Sequence, residues 1–235
     1  MTTHIVGLGG GGFSEETDNR ALDNYILALT RTSRPRVCFL PTASGDAQGY
    51  IDKFLGSYPS TRAEATCLRL FRPSGVGDIR SFLMEQHVIY VGGGSTVNLL
   101  SLWRTHGLDR ILREAWQGGV VLAGISAGMV CWFEEFLTDS YLDGALRPCQ
   151  EGLGLIPGSA CPHYDDIERR QAYKGLVAAK ALAGGVGAEG CVGLHYVDGL
   201  LADVVTSRQG RKAYRLRMVD GRVSEEPLEA KVLRW

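Results

Sequence analysis

A serine set among small residues at the end of an apolar run is the first feature of the chain with chemistry in it. Val120-Val121-Leu122-Ala123 leads into Gly124-Ile125-Ser126-Ala127-Gly128, and the stretch Met129-Val130-Cys131-Trp132-Phe133 that follows is compatible with a helix. Strand, Gly-x-Ser-x-Gly and helix in that order is the setting of a nucleophile elbow, in which a sharp turn presents the hydroxyl at the carboxyl end of a sheet. Small neighbours let such a turn close, and the Ala127 N–H is then a natural donor to a developing oxyanion. Gly92-Gly93-Gly94-Ser95 also follows a strand-like run, Val88 to Val91, and precedes a helical one, Thr96 to Trp103. One glycine would serve a tight turn; three suggest close backbone approach to a ligand, and Gly93 or Gly94 is expected to supply a second oxyanion amide.

A serine nucleophile needs a base, and histidine suits neutral pH. Of the five histidines, His4 and His87 border strands, His106 ends a helix and His195 lies within an apolar strand-like run. His163 sits in Ser159-Ala160-Cys161-Pro162-His163-Tyr164-Asp165, a loop at a strand end, and is the preferred base, with His195 the alternative. For the acid, Asp198 in Tyr196-Val197-Asp198-Gly199 ends a strand at a turn; Asp-Gly is also common turn chemistry. Asp139, Asp165 and Asp166 stay open as rivals. The order Ser126, His163, Asp198 differs from the Ser, acid, His order of α/β-hydrolases and implies a different fold with a convergent triad. The run Gly7-Leu8-Gly9-Gly10-Gly11-Gly12 lacks a tidy dinucleotide fingerprint and is expected to be a flexible loop bordering the site.

The elements that must position these residues follow from periodicity. Apolar runs at 5–8, 37–40, 67–71, 88–91 and 120–123 suit strands covered on both faces. Between them, Leu22, Ile26 and Leu29, then Tyr50, Phe54 and Ser57, then Ile79, Leu83 and Gln86, then Leu108, Ile111, Leu112 and Ala115 share helical faces. The alternation predicts an α/β sandwich with a mostly parallel sheet. Beyond Ser126 a helix is expected over 166–182, with strands near 191–197, 200–206 and 213–219, the last two flanking Ser207-Arg208-Gln209-Gly210-Arg211 as a hairpin-like antiparallel edge.

Composition narrows the function classes. The 235 residues are 45% hydrophobic and 22% charged, and no long polar linker or repeat interrupts them, so one domain over 1–235 is expected. With 25 basic and 26 acidic residues, no net charge favours nucleic acid or a membrane surface. The six cysteines are scattered singly, without zinc spacing, and read as small buried hydrophobes; no metal or cofactor is expected. Neither a leader pattern nor an 18-residue apolar run is present, which predicts a cytoplasmic protein.

Taken together, Phe39-Leu40-Pro41-Thr42-Ala43-Ser44, Gly92-Gly93-Gly94-Ser95-Thr96 with Leu99-Leu100, Gly124-Ile125-Ser126-Ala127-Gly128, Thr138-Asp139-Ser140 and Pro162-His163-Tyr164 resemble the peptidase E family of aspartyl dipeptidases, and more distantly cyanophycinase. The resemblance spans nearly the whole chain. It implies a three-layer fold like that of class I glutamine amidotransferases, with serine in place of the cysteine nucleophile. It also implies Ser126 as nucleophile, His163 as base, an acid near Asp198 and oxyanion amides from the Gly92 to Gly94 turn and Ala127. A dipeptidase of this kind holds the substrate's acidic side chain with a basic residue downstream of the histidine, where this chain offers Arg169 and Arg170. The expected partner is a short peptide substrate, with a homodimer left open as the assembly. An esterase or amidase with the same machinery, and a non-catalytic anion-binding protein, are the rival functions.

Overall fold

The computed structural model describes residues 2–234. Strands β1 (His4–Leu8), β2 (Arg36–Leu40), β3 (Glu64–Cys67), β4 (Val88–Val91) and β5 (Val121–Ile125) alternate with helices α1 (Gly12–Glu15), α2 (Ala21–Ala28), α3 (Gln48–Ser57), α4 (Ile79–Met84), α5 (Thr96–His106) and α6 (Leu108–Gln117). A single turn, α7 (Ala127–Val130), leads to β6 (Phe133–Thr138), β7 (Arg147–Cys149), β8 (Ile156–Cys161), α8 (Ile167–Ala178) and β9 (Gly185–Ala188). The chain closes with β10 (Val192–Val197), β11 (Leu200–Thr206), β12 (Ala213–Val219), β13 (Arg222–Leu228) and β14 (Lys231–Val232).

The main sheet has the order β14-β11-β10-β1-β5-β4-β2-β3 and is parallel from β1 to β3, with β10 and β11 antiparallel. Successive side chains of its strands enter opposite cores, as the period of two requires. Ile5, Cys38, Ile89 and Leu122 join Leu99, Trp103 and Leu112 on one face. Val6, Val37, Val88 and Val121 join Leu22, Ile26, Ile51 and Phe54 on the other. Helix layers on both faces of a mostly parallel sheet make the three-layer α/β sandwich that the sequence implied.

A second sheet, β13-β12-β9-β8-β6-β7, was not foreseen. Phe133 and Phe136 of β6, Ala160 of β8, and Val186 and Ala188 of β9 extend the first core, so this sheet packs on the Ile5 and Leu122 side. Three expectations are corrected, the first two by this sheet. The helix expected from Met129 onward stops after one turn, because Phe133 to Thr138 pairs with β8 as a strand. The segments 200–206 and 213–219 are not partners: β11 pairs with β10 in the main sheet, while β12 pairs with β9 and β13 in the second, so Ser207 to Arg211 crosses between sheets. The strand expected at 67–71 lies earlier, at Glu64–Cys67, as an edge whose residues alternate in exposure.

The strand ends β1, β5 and β4 lie side by side, so Ser126, the turn Gly92 to Gly94 and the loop Gly9 to Gly12 converge at their carboxyl ends, the usual ligand side of such sheets. Main chain crowds here. A Cβ on Gly124 would stand 2.1 Å from Gly128 O, and one on Gly128 would stand 2.2 Å from Val91 O. The glycines flanking Ser126 are thus set by backbone-to-backbone contact.

On the far side, Glu225 of β13 gathers α8. It accepts hydrogen bonds from Arg170 through both oxygens at 3.0 Å, from Lys174 at 3.1 Å and from the Tyr164 hydroxyl at 2.6 Å. Arg170 also lies over the rings of Tyr164 and Tyr214. Among the described residues no helix is long and apolar enough to cross a membrane.

Two outcomes follow from these contacts. Gly128→Ala should cost about 1–3 kcal/mol, because main chain rather than a flexible side chain blocks the methyl; urea denaturation should show a lower midpoint at unchanged slope. Burial alone would raise the Glu225 carboxyl, but hydrogen bonds from Arg170, Tyr164 and Lys174 outweigh it and draw it from 4.5 down to about 2. A group held low in the folded state contributes stability that is complete above its unfolded value and lost as pH falls through its folded one. The thermal midpoint of the wild type should therefore exceed that of Glu225→Gln at neutral pH, and the advantage should shrink between pH 4.5 and about 2.

Candidate active site

Ser126 is the residue between β5 and α7, at φ 55° and ψ −111°, outside the regions a side-chain-bearing residue normally occupies. Its amide donates to Leu8 O of β1 at 3.0 Å, and its carbonyl accepts from Met129 and Val130 at 2.9 and 3.1 Å. These bonds hold the strained turn and leave the side chain half-buried at the sheet end.

His163 comes from the second sheet, in the segment joining β8 to α8. Its amide donates to Gly9 O at 2.9 Å, and that of Tyr164 donates to Ala188 O at 2.9 Å. Tyr164 is fully buried, with its ring against Gly187 and its hydroxyl on Glu225, so the residue after the histidine is an anchor. The result is that His163 Nε2 lies 2.9 Å from Ser126 Oγ, within hydrogen-bond reach. Burial pushes the imidazole below its ordinary value; the Glu15 carboxylate opposes this, and Arg169 adds to it.

Asp198 does not join the pair. It is the exposed turn residue after β10, which runs antiparallel to β1, so Asp198 lies beside Thr3 at the amino end of the parallel strands while Ser126 is at their carboxyl end. Asp198 accepts from the Thr3 amide at 2.8 Å and its hydroxyl at 3.1 Å. The Asp-Gly pair is turn chemistry, and the assignment of Asp198 as the acid is corrected accordingly.

The rival aspartates do lie near His163, each with a partner. Asp165 accepts from the Gly190 amide at 2.8 Å and pairs with Arg211 at 2.6 Å. Asp166 caps α8 through the Arg169 amide at 3.0 Å. Asp139 pairs with the Arg169 guanidinium. It follows β6, which runs parallel to β8, so Asp139 and His163 leave the same end of that sheet. Arg170 faces Glu225 instead, so of the two arginines only Arg169 stands by the site. His195 is buried in β10 against His4 at 3.0 Å and Tyr25 at 2.8 Å, apart from Ser126.

Gly93 stands directly beside the serine: a Cβ there would be 3.4 Å from Ser126 Cβ. Its amide donates to the Tyr50 hydroxyl at 3.3 Å, a long bond. Gly94 has φ 133° and packs on Ala43 O, so no other residue fits. Ala127 is the first residue of α7, where the amide has no intrahelical acceptor. The Gly9 to Gly12 loop does border the site but is tied down: Gly9 O and Gly10 O accept from the His163 and Cys191 amides. Two residues escaped the sequence reading, Tyr50 and Glu15. Tyr50 carries only a helical-face signal in the sequence. Glu15 follows the glycine run by three residues, and its carboxylate turns back to accept from the Gly11 amide at 2.8 Å.

Peptidase family S51 matches residues 5–202. The uncharacterised peptidase YgaJ of Bacillus subtilis (strain 168) is 50% identical over 230 residues, covering 97% of this chain and 98% of that one. A probable alpha-aspartyl dipeptidase of Drosophila melanogaster is 32% identical over 172 residues, 72% of this chain and 67% of that one. In fold, the crystal structure of a peptidase from an acI-B1 Actinobacterium superimposes with a TM-score of 0.72 at 19% identity, covering 98% of this chain and 95% of that one. The chain belongs to peptidase family S51 and is a peptidase.

Proposed function

We propose that this peptidase cleaves short peptides through an acyl-enzyme on Ser126. The observation that carries the proposal is the 2.9 Å contact between His163 Nε2 and Ser126 Oγ on a strained strand-to-helix turn. Nucleophile and base within hydrogen-bond reach at the carboxyl end of a sheet is the geometry that acyl transfer requires. As Ser126 Oγ bonds to the scissile carbonyl carbon, its proton passes to His163 Nε2 and the carbonyl π electrons move onto oxygen. The oxyanion is received by the Ala127 amide and by Gly93 or Gly94. Collapse expels the amine, which takes the proton from His163; water, deprotonated by the same imidazole, then releases the acid.

The long bond from Gly93 to Tyr50 suits this role, because the amide can turn to a better acceptor as charge develops. Preference for an N-terminal aspartate is the narrower proposal drawn from the family. Arg170 is committed to Glu225 and Arg169 to Asp139, so an acidic side chain would have to compete with Asp139 for Arg169. A panel of aspartyl and neutral dipeptides reads this directly: equal kcat/KM across the panel would remove the aspartate preference.

Ser126→Ala should lower turnover by at least about 10³-fold and abolish fluorophosphonate labelling of the folded protein. Wild-type turnover in that variant would sink the proposal. The base must be neutral to act, and burial holds His163 below 6.5. The midpoint of the acid limb of the labelling rate should therefore lie below pH 6.5.

A further inference from the structure

The geometry points to Glu15 as the positioning residue behind His163, the carboxylate that faces the imidazole nitrogen turned away from Ser126. This rests on the serine-peptidase proposal above and supplies the acid that Asp198 does not. His163 uses Nε2 toward Ser126 Oγ, which leaves Nδ1 on the opposite side of the ring. There the chain approaches without side chains. The point where a Gly10 Cβ would stand is 3.3 Å from His163 Nδ1 and 3.1 Å from Glu15 Oε2, so the absent methyl is what lets the two groups share that space. With both atoms that close to one point, a single bridging water is enough to span them.

The other charges around the ring are committed. Asp165 is held by Gly190 and Arg211, Asp166 by the start of α8, and Asp139 by Arg169. Glu16, next to Glu15, is buried under Arg208 and Ser207 and accepts from the Gly12 amide. Glu189, on the loop beside Gly190, accepts from the Lys212 amide and the Tyr214 hydroxyl. Glu15 Oε2 accepts from the Gly11 amide, and its Oε1 makes no hydrogen bond among the described residues. Glu15 and His163 line one cleft of about 450 Å³ with Asp165, Gly190 and Arg211. Of the charged groups whose fields reach the imidazole, Glu15 acts most strongly, ahead of Arg169, Asp165 and Asp139. A carboxylate in this place stabilises the imidazolium formed when Ser126 gives up its proton, and holds the tautomer that keeps Nε2 free to accept it.

The test is the second-order rate of fluorophosphonate labelling at Ser126 as a function of pH, in the wild type and in Glu15→Gln, Glu15→Asp and Gly10→Ala. Glu15→Gln keeps an acceptor for the Gly11 amide but removes the charge. It should slow labelling about 10- to 100-fold and move the acid limb to lower pH by about half a unit or more. The sign follows from the carboxylate holding His163 up against burial and Arg169. Glu15→Asp should restore most of the shift, and Gly10→Ala should slow labelling by inserting a methyl between the groups. A role confined to holding the Gly11 amide would change thermal stability and leave the midpoint in place. Wild-type labelling with an unchanged rate and midpoint in Glu15→Gln overturns the assignment of Glu15 alone. No labelling of the wild type overturns the serine-peptidase proposal, and this one with it.

Discussion

The site depends on a contact between main chains. At the end of β5 the backbone of Gly128 lies against Val91 O of β4, the backbone of Gly124 lies against Gly128, and the Ser126 amide is bound to Leu8 O of β1. Three neighbouring strands therefore fix one turn, and the turn has no freedom to relax the serine out of φ 55°. Strain of this kind persists only where surrounding structure over-determines it. The parallel sheet provides that: each flanking strand sends side chains into both cores, so neither can yield without unpacking them.

The imidazole reaches the serine by a separate route. β8 runs parallel to β6 in the second sheet and ends at Cys161, and the chain then turns so that His163 binds Gly9 O while Tyr164 plunges into the core. Behind Tyr164, the Glu225 cluster ties α8 to the β12–β13 hairpin. The base is thus held by its own backbone and by a buried ring, and the charged cluster belongs to the scaffold. That explains why Arg170, a basic residue shortly after the histidine, faces away from the site.

Much of this was legible in the sequence, for a physical reason. Strands buried on both faces are written as unbroken apolar runs, and the elbow is written as glycines because backbone contact admits nothing else. The helix expected over 166–182 forms over Ile167–Ala178, with Tyr173 and Val177 buried. What failed to show was pairing at a distance. β11 and β12 are adjacent in sequence, and only the crossing of Ser207 to Arg211 between sheets tells them apart. Asp198 misled for a related reason: a turn aspartate has the same local sequence whichever end of the sheet it occupies, and the antiparallel direction of β10 sends it to the wrong one. Glu15 stayed hidden because its position is defined by the glycine loop folding back on itself, a conformation that four glycines permit but do not specify.

Because main-chain bonds already place the residue that carries the ring, the third group in the proposal above is left to hold the tautomer and offset charge. In a triad where the acid also orients the imidazole, its geometry must be tight. Here the Gly9 and Ala188 carbonyls anchor the two residues that carry and follow the ring, so a carboxylate on a one-turn helix across a glycine loop can do what remains, which is to hold the tautomer and offset positive charge as it forms. Such a group tolerates exposure and a gap that a side chain would close. The glycine run after β1 then has a single physical rationale: it brings β1 to the serine, gives its carbonyls to His163 and Cys191, and keeps its own side chains out of the space between imidazole and carboxylate.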